Sequence, residues 1–194
     1  MHSWFNTDMN LVVSKKPKEY LKQGLTGCGA YAVKGILSAY GKDDKHHPLE
    51  YSIIAVLPFI PTWRRWVKIL RSYGLDARCD FARRLSPKER LVRLKELLRQ
   101  DTPVMLLIGN GYRGCGTWHK WQWRIVSHWI TLWGFDDEKG LFYIYDSCVP
   151  KKCYDMSLPT GNVARSYEQV LRDMEGGQPW WRRHCYTYIV PKRL

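Results

Sequence analysis

The stretch QGLTGCGAYAVKGILSAY, Gln23 to Tyr40, sets how the rest of the chain is read. From Val33 its apolar residues fall at Val33, Ile36, Leu37 and Tyr40, the i, i+3, i+4, i+7 spacing of a helix with one buried face. Cys28 therefore stands at the helix entrance, flanked by Gly27 and Gly29. The unpaired amides and positive dipole end of a helix start favour a thiolate, the reactive form of cysteine. The glycines remove side chains where a second backbone would approach. Most free cysteines are instead small buried fillers, so the remainder of the chain must choose between the two readings.

Working outward, the first half is helical. After Gly41 comes the polar loop GKDDKHHP, then LEYSIIAVLPFI, a buried helix ending near Pro58 or a short strand. A helix from Thr62 to Tyr73 stops at Gly74, with Trp63, Trp66, Val67 and Leu70 as its apolar stripe and Arg64, Arg65, Lys68 and Arg71 elsewhere. SPKERLVRLKELLRQ starts with Ser86 as N-cap, Pro87 at the first helical position and Glu89 completing a capping box, with Leu91, Leu94 and Leu98 on one face. Past Asp101 the pattern changes. PVMLLIG reads as a central strand, a Gly- and Trp-rich loop follows over residues 109–125, and VSHWITLWGF, DDEKG and LFYIYDS read as a hairpin. A helix over Ser166 to Met174 and a last strand in HCYTYIV complete an α+β layout. Residues 1–22 offer little periodicity, and there is no internal repeat.

At 194 residues the chain suits one domain. Ten tryptophans and 45% apolar residues predict a packed core. The net charge of +13 favours acidic partners, although no recognised nucleic-acid motif accompanies it and much of it is a solvated helix face. No signal peptide and no apolar run of membrane-spanning length is present, so a cytoplasmic protein is expected unless a signal has been removed. Six cysteines are few for a disulfide scaffold, and the cytosol would keep them reduced; export would allow Cys148 and Cys153 to pair.

Cysteine catalysis needs a base, and the base needs a group to orient it. With the hairpin turn centred near Glu138, Ile130 faces Asp146, so His128 and Asp146 become diagonal neighbours on one face. A slip of one residue would send Asp146 to the other face. Gln23, five positions before Cys28, offers a side-chain amide to the oxyanion that a thiolate attack creates, beside the Cys28 N–H. Trp118, Trp121 and Trp123 in the loop, and Trp129 beside His128, are candidates to line a substrate groove with Gly27; covering the core is the alternative use of the tryptophans.

The ordered set of Gln23, TGCGAYAVKGILSAYG, YGLDA, LKELLRQDTPVMLLI and HWITLWGFDDEKGLFYIYDS resembles the papain-like cysteine peptidases, and most closely the bacteriocin-processing branch that cuts double-glycine leader peptides. The likeness spans about residues 21–147. It implies a helical lobe (about 20–100) packed on an antiparallel sheet lobe (about 101–194), with the site in the cleft between them and no cofactor or metal. It further implies Cys28 as nucleophile, His128 as general base and acid, Asp146 as the orienting carboxylate, and Gln23 with Cys28 as the oxyanion hole. The implied substrate is a peptide or protein, with the charge suggesting an acidic one. The chain departs from the family at Ala30, where proline is common two residues after the cysteine, and at Asp146-Ser147, where Asp-Pro is common.

The other readings of the same residues are acyl transfer by the same triad, as in transglutaminase-like enzymes, a non-catalytic peptide-binding module, and a basic nucleic-acid binder. A metal site from Cys115, His119, Cys148 and Cys153 is a further reading, although its ligand spacing is unforced.

Overall fold

The computed structural model describes residues 9–42, 45–53, 62–113, 116–177 and 186–193. The elements in chain order are β1 (Asn10–Val12), α1 (Cys28–Ala39), α2 (Pro48–Ile53), α3 (Thr62–Ser72), β2 (Leu75–Phe81), α4 (Pro87–Arg99), β3 (Val104–Gly109), β4 (Tyr112–Arg113) and β5 (Thr117–Trp118). They continue with α5 (Lys120–Ile125), β6 (Ser127–Asp136), β7 (Leu141–Tyr145), β8 (Val163–Ser166), α6 (Tyr167–Asp173) and β9 (Thr187–Arg193).

One seven-stranded antiparallel sheet runs β2-β9-β3-β6-β7-β8, with β1 extending it beside β6. The ten-residue β6 is its axis: its first half pairs with β3, and its second half lies between β7 and β1. Nearly every β6 side chain is buried, which is why HWITLWGF lacks the alternation of a half-exposed strand. The core joins Val33, Ile36 and Leu37 of α1, Leu70 of α3 and Leu94 and Leu98 of α4 to Leu106, Ile130, Leu132 and Ile189 of the sheet. No helix among the described residues is long and apolar enough to cross a membrane.

The helical stretches behave as their sequence dictates. α1 begins at Cys28, with Gly27 as its N-cap at φ 106°, a conformation glycine takes without steric cost. The Ser86–Glu89 capping box forms in full at the start of α4, whose buried face is Arg90, Leu94, Leu97 and Leu98, with Leu91 at its margin. A second capping box, Ser166 with Gln169, starts α6. LEYSI lies in a helix, α2, and residues 54–60 of that segment fall outside the described residues, as do Cys185 and the start of the expected final strand.

The helical first half contributes β2, which pairs along its length with β9 at the sheet edge, so the division into helical and sheet halves does not follow the sequence. The Trp-rich stretch is not a plain loop, because it forms β4, β5 and α5. Cys153 is disulfide-bonded while Cys28, Cys79 and Cys148 are free, so the chain is not fully reduced and Cys148 is not its partner.

Gly29 also differs from its sequence reading. A Cβ there would lie 2.3–2.5 Å from the indole of Trp66, so the missing side chain admits a core tryptophan of α3 and not a substrate. Trp66 is only 6% exposed and has nowhere to retreat. Gly29→Ala is therefore expected to destabilise the protein by about 1–3 kcal/mol in urea unfolding, although alanine is otherwise the better helix former.

Candidate active site

The start of α1 and the start of β6 bring Cys28 and His128 together, and the end of β7 supplies Asp146. His128 Nε2 lies 2.7 Å from Asp146 Oδ1, both residues being almost wholly buried. That bond leaves Nδ1 as the ring nitrogen for Cys28, to which His128 is hydrogen-bonded. Cys28 itself is partly exposed as a residue.

The diagonal relation of His128 and Asp146 depends on an irregularity. At the turn, Asp136 pairs with Leu141 and Phe135 with Phe142, a register one residue off the expected one. Extended without a break, it would set Asp146 opposite Thr131. A β-bulge between Leu132 and Gly134 absorbs one residue, and beyond it Leu132 faces Ile144 and Thr131 faces Tyr145. The bulge thus restores the face on which imidazole and carboxylate meet.

Asp146 is held from several sides. Its Oδ1 also accepts the Cys148 N–H at 2.9 Å. Asn162 accepts the Asp146 N–H and donates to the Asp146 carbonyl, both at 2.9 Å. The guanidinium of Arg165 on β8 donates to Oδ2. Neither Asn162 nor Arg165 could be singled out from sequence, because both follow residues 21–147 and meet Asp146 only when β8 pairs with β7.

Charge follows from this geometry. Burial opposes ionisation of Asp146, but the charges of His128 and Arg165 hold its carboxyl well below the usual range. Burial likewise opposes protonation of His128, yet the Asp146 charge and hydrogen bond, with Cys28, keep its pKa well above that of a free imidazole. For Cys28, burial pushes the thiol up; the bond and charge of His128 and the N–H groups of Trp129 and Gly29 outweigh it and leave the pKa lowered. Both shifts run in the direction of a thiolate beside an imidazolium.

Gln23 is buried and fixed to Ser147, the residue after Asp146. Its N–H donates to the Ser147 carbonyl at 2.8 Å and its Oε1 accepts the Ser147 hydroxyl at 2.6 Å. With the oxygen occupied, the amide Nε2 makes no hydrogen bond among the described residues. Ser147 thus fixes which end of the amide is free to donate.

The aromatic candidates divide. Trp129 is 4% exposed and belongs to the core; it offers the site its backbone N–H and not its ring. Trp118 packs on Gly111 and Trp123 under Arg172, and Trp123 donates to the Arg172 carbonyl, so both cover the junction of α5 with α6. Trp121 is 79% exposed and remains available to a substrate. Gly27 lies before Cys28, its open side facing Leu49 and Tyr31. The metal reading loses a ligand, since Cys153 is disulfide-bonded, and Cys115 is outside the described residues; among those described, no cluster of three metal-binding side chains occurs.

Helices packed on one antiparallel sheet, with Cys28 at a helix start and His128 on the axial strand, form a papain-like α+β fold. In particular, the chain is similar to the double-glycine motif protease of an AMS/PCAT transporter, solved in complex with the leader peptide, at TM-score 0.52 and 18% identity over 95% of this chain and 99% of that one. It is also similar to a C39-like peptidase from Bacillus anthracis, at TM-score 0.52 and 11% identity over 95% and 98%. No family profile matches the sequence, and no curated protein does.

Proposed function

We propose that the protein is a papain-like cysteine peptidase that cleaves a peptide or amide bond through Cys28, His128 and Asp146. The observation that supports it best is the unbroken chain of hydrogen bonds from the Cys28 sulfur through His128 to Asp146 at a helix start. The peptide nature of the substrate is supported by the leader peptide bound to the similar transporter protease.

In this reading the Cys28 thiolate attacks the carbonyl carbon, forming a C–S bond while the carbonyl electrons move onto oxygen. The Gln23 amide and the Cys28 N–H receive that oxyanion. The His128 imidazolium gives its proton to the departing nitrogen as the C–N bond breaks, leaving a thioester. His128, neutral again, takes a proton from water as its oxygen attacks the thioester carbon; the C–S bond then breaks with its electrons on sulfur, releasing the acid and restoring the thiolate. Asp146 holds the ring in place throughout.

The test is to incubate the protein with peptides carrying Gly-Gly before a candidate cut, with and without an added amine, and weigh the products. Two fragments whose masses sum to the substrate plus one water, lost in Cys28→Ala, are expected. An amine adduct in place of the acid would assign acyl transfer, and products that persist in Cys28→Ala would overturn the reading.

A further inference from the structure

We infer that Arg165 is a positioning residue that neutralises Asp146, so that the buried site carries no net charge when Cys28 is a thiolate and His128 an imidazolium. This rests on the peptidase reading of the site and adds a fourth member to it.

Arg165 is 6% exposed on β8, two residues beyond Val163, which pairs with Ile144 near the end of β7. It donates to the Asp146 oxygen that His128 leaves free. Its guanidinium lies 4.4 Å from the ring centroid of Tyr112, which covers it from the β4 side. Its Nη1 has no partner among the described residues, so the cation is buried without full satisfaction. Replacing a buried ion pair by apolar groups is often neutral or stabilising, so stability does not account for this arrangement.

Charge balance does account for it. Asp146 and Cys28 carry two negative charges, and His128 and Arg165 two positive ones. Without Arg165, the reactive state would hold a net negative charge in a buried place, and the thiol would keep its proton to higher pH. With it, the Asp146–Arg165 pair presents His128 with a neutral, oriented acceptor. The other titratable groups in the neighbourhood leave this balance standing. Tyr145 and Tyr154 sense the Asp146 charge, and burial pushes both phenols up, so they stay neutral. Asp173 of α6, raised by burial, senses Arg165 but is bonded at 3.1 Å to Arg172, which also reaches the Tyr112 hydroxyl.

The experiment measures the rate of Cys28 alkylation by iodoacetamide against pH and locates its acid limb. An early limb in the wild type tests the peptidase reading by itself; a limb no earlier than that of a free thiol defeats that reading whatever the variants do. Given the early limb, Arg165→Met should move its midpoint up by about one pH unit, one charge being removed at close range. Arg165→Lys should move it far less. Arg165→Gln, which keeps a donor toward Asp146 Oδ2 without the charge, should move it as far as Arg165→Met does and carries the test should the Met variant fail to fold. An unmoved midpoint in Arg165→Met or Arg165→Gln, or an equal displacement in the control Asp173→Asn, would overturn the assignment.

Discussion

With His128 replaced by alanine, Cys28 is expected to alkylate about 30- to 100-fold more slowly at pH 7. An ordinary thiol is only a few per cent ionised there, and a buried one less. The lowered pKa of Cys28 comes from His128 and from two backbone N–H groups acting against burial. Removing the imidazole deletes the larger favourable contributions and leaves burial almost unopposed, so the thiol should titrate above the free value. The sign is visible in the pH profile. The wild type should hold its rate well into the acid range, while the variant should climb about tenfold per pH unit through neutrality. The gain is capped because a thiolate of lower pKa is also a weaker nucleophile. Rates for the two proteins that agree within threefold at every pH would mean that sulfur and imidazole are not coupled.

That coupling could be anticipated from the sequence because its members lie in segments with strong local signals. The glycines around Cys28, the helix spacing from Val33 to Tyr40 and the apolar run of β6 each fix an element without knowledge of the others. The His128–Asp146 relation was legible for a less secure reason. The register at the turn lies one residue off the expected one, and the bulge at Trp133 compensates for it. Nothing in TLWGF announces a bulge. Gly134 is its one trace: a Cβ there would come within 2.3 Å of the Leu11 carbonyl on β1, so the position must stay bare where a third strand closes in.

What stayed hidden is what depends on partners distant in sequence. β1 and β8 are three and four residues long and have no pattern of their own; each exists because β6 or β7 offers it an edge. β2 has the composition of a loop, LDARCDF, and becomes a strand because β9 pairs with all of it. Arg165 follows the same logic. On its own it is one of 31 basic residues in a chain whose charge mostly faces water, and only the β7–β8 pairing brings it to Asp146. The tryptophans were ambiguous because an indole serves a core and a groove equally well. Packing decides: Gly111 makes room for the Trp118 ring and Gly176 for that of Trp123, whereas Trp121 stays 79% exposed among the described residues.

Replacing Gln23 by alanine is expected to slow acylation of Cys28 by p-nitrophenyl acetate by about 10²–10³-fold while leaving its alkylation by iodoacetamide unchanged. The two reagents differ in one respect. Attack on the ester carbonyl places a negative charge on oxygen that a donor can stabilise, and attack on the alkyl iodide creates no such charge. A residue that merely supported the thiolate would affect both. Ser147 predicts an intermediate case, because its hydroxyl occupies Gln23 Oε1 and so turns Nε2 outward. In Ser147→Ala the amide loses that instruction, and its two ends compete for the oxyanion position, one of them repelling it. Acylation should then fall by less than in Gln23→Ala, with alkylation again unmoved. Gln23→Glu separates charge from shape: it keeps the size and the bond to Ser147 but presents an oxygen where a donor is needed, so it should be at least as slow as the alanine variant. Acylation in Gln23→Glu at the wild-type rate would remove Gln23 from the oxyanion hole and leave the Cys28 N–H to serve it alone.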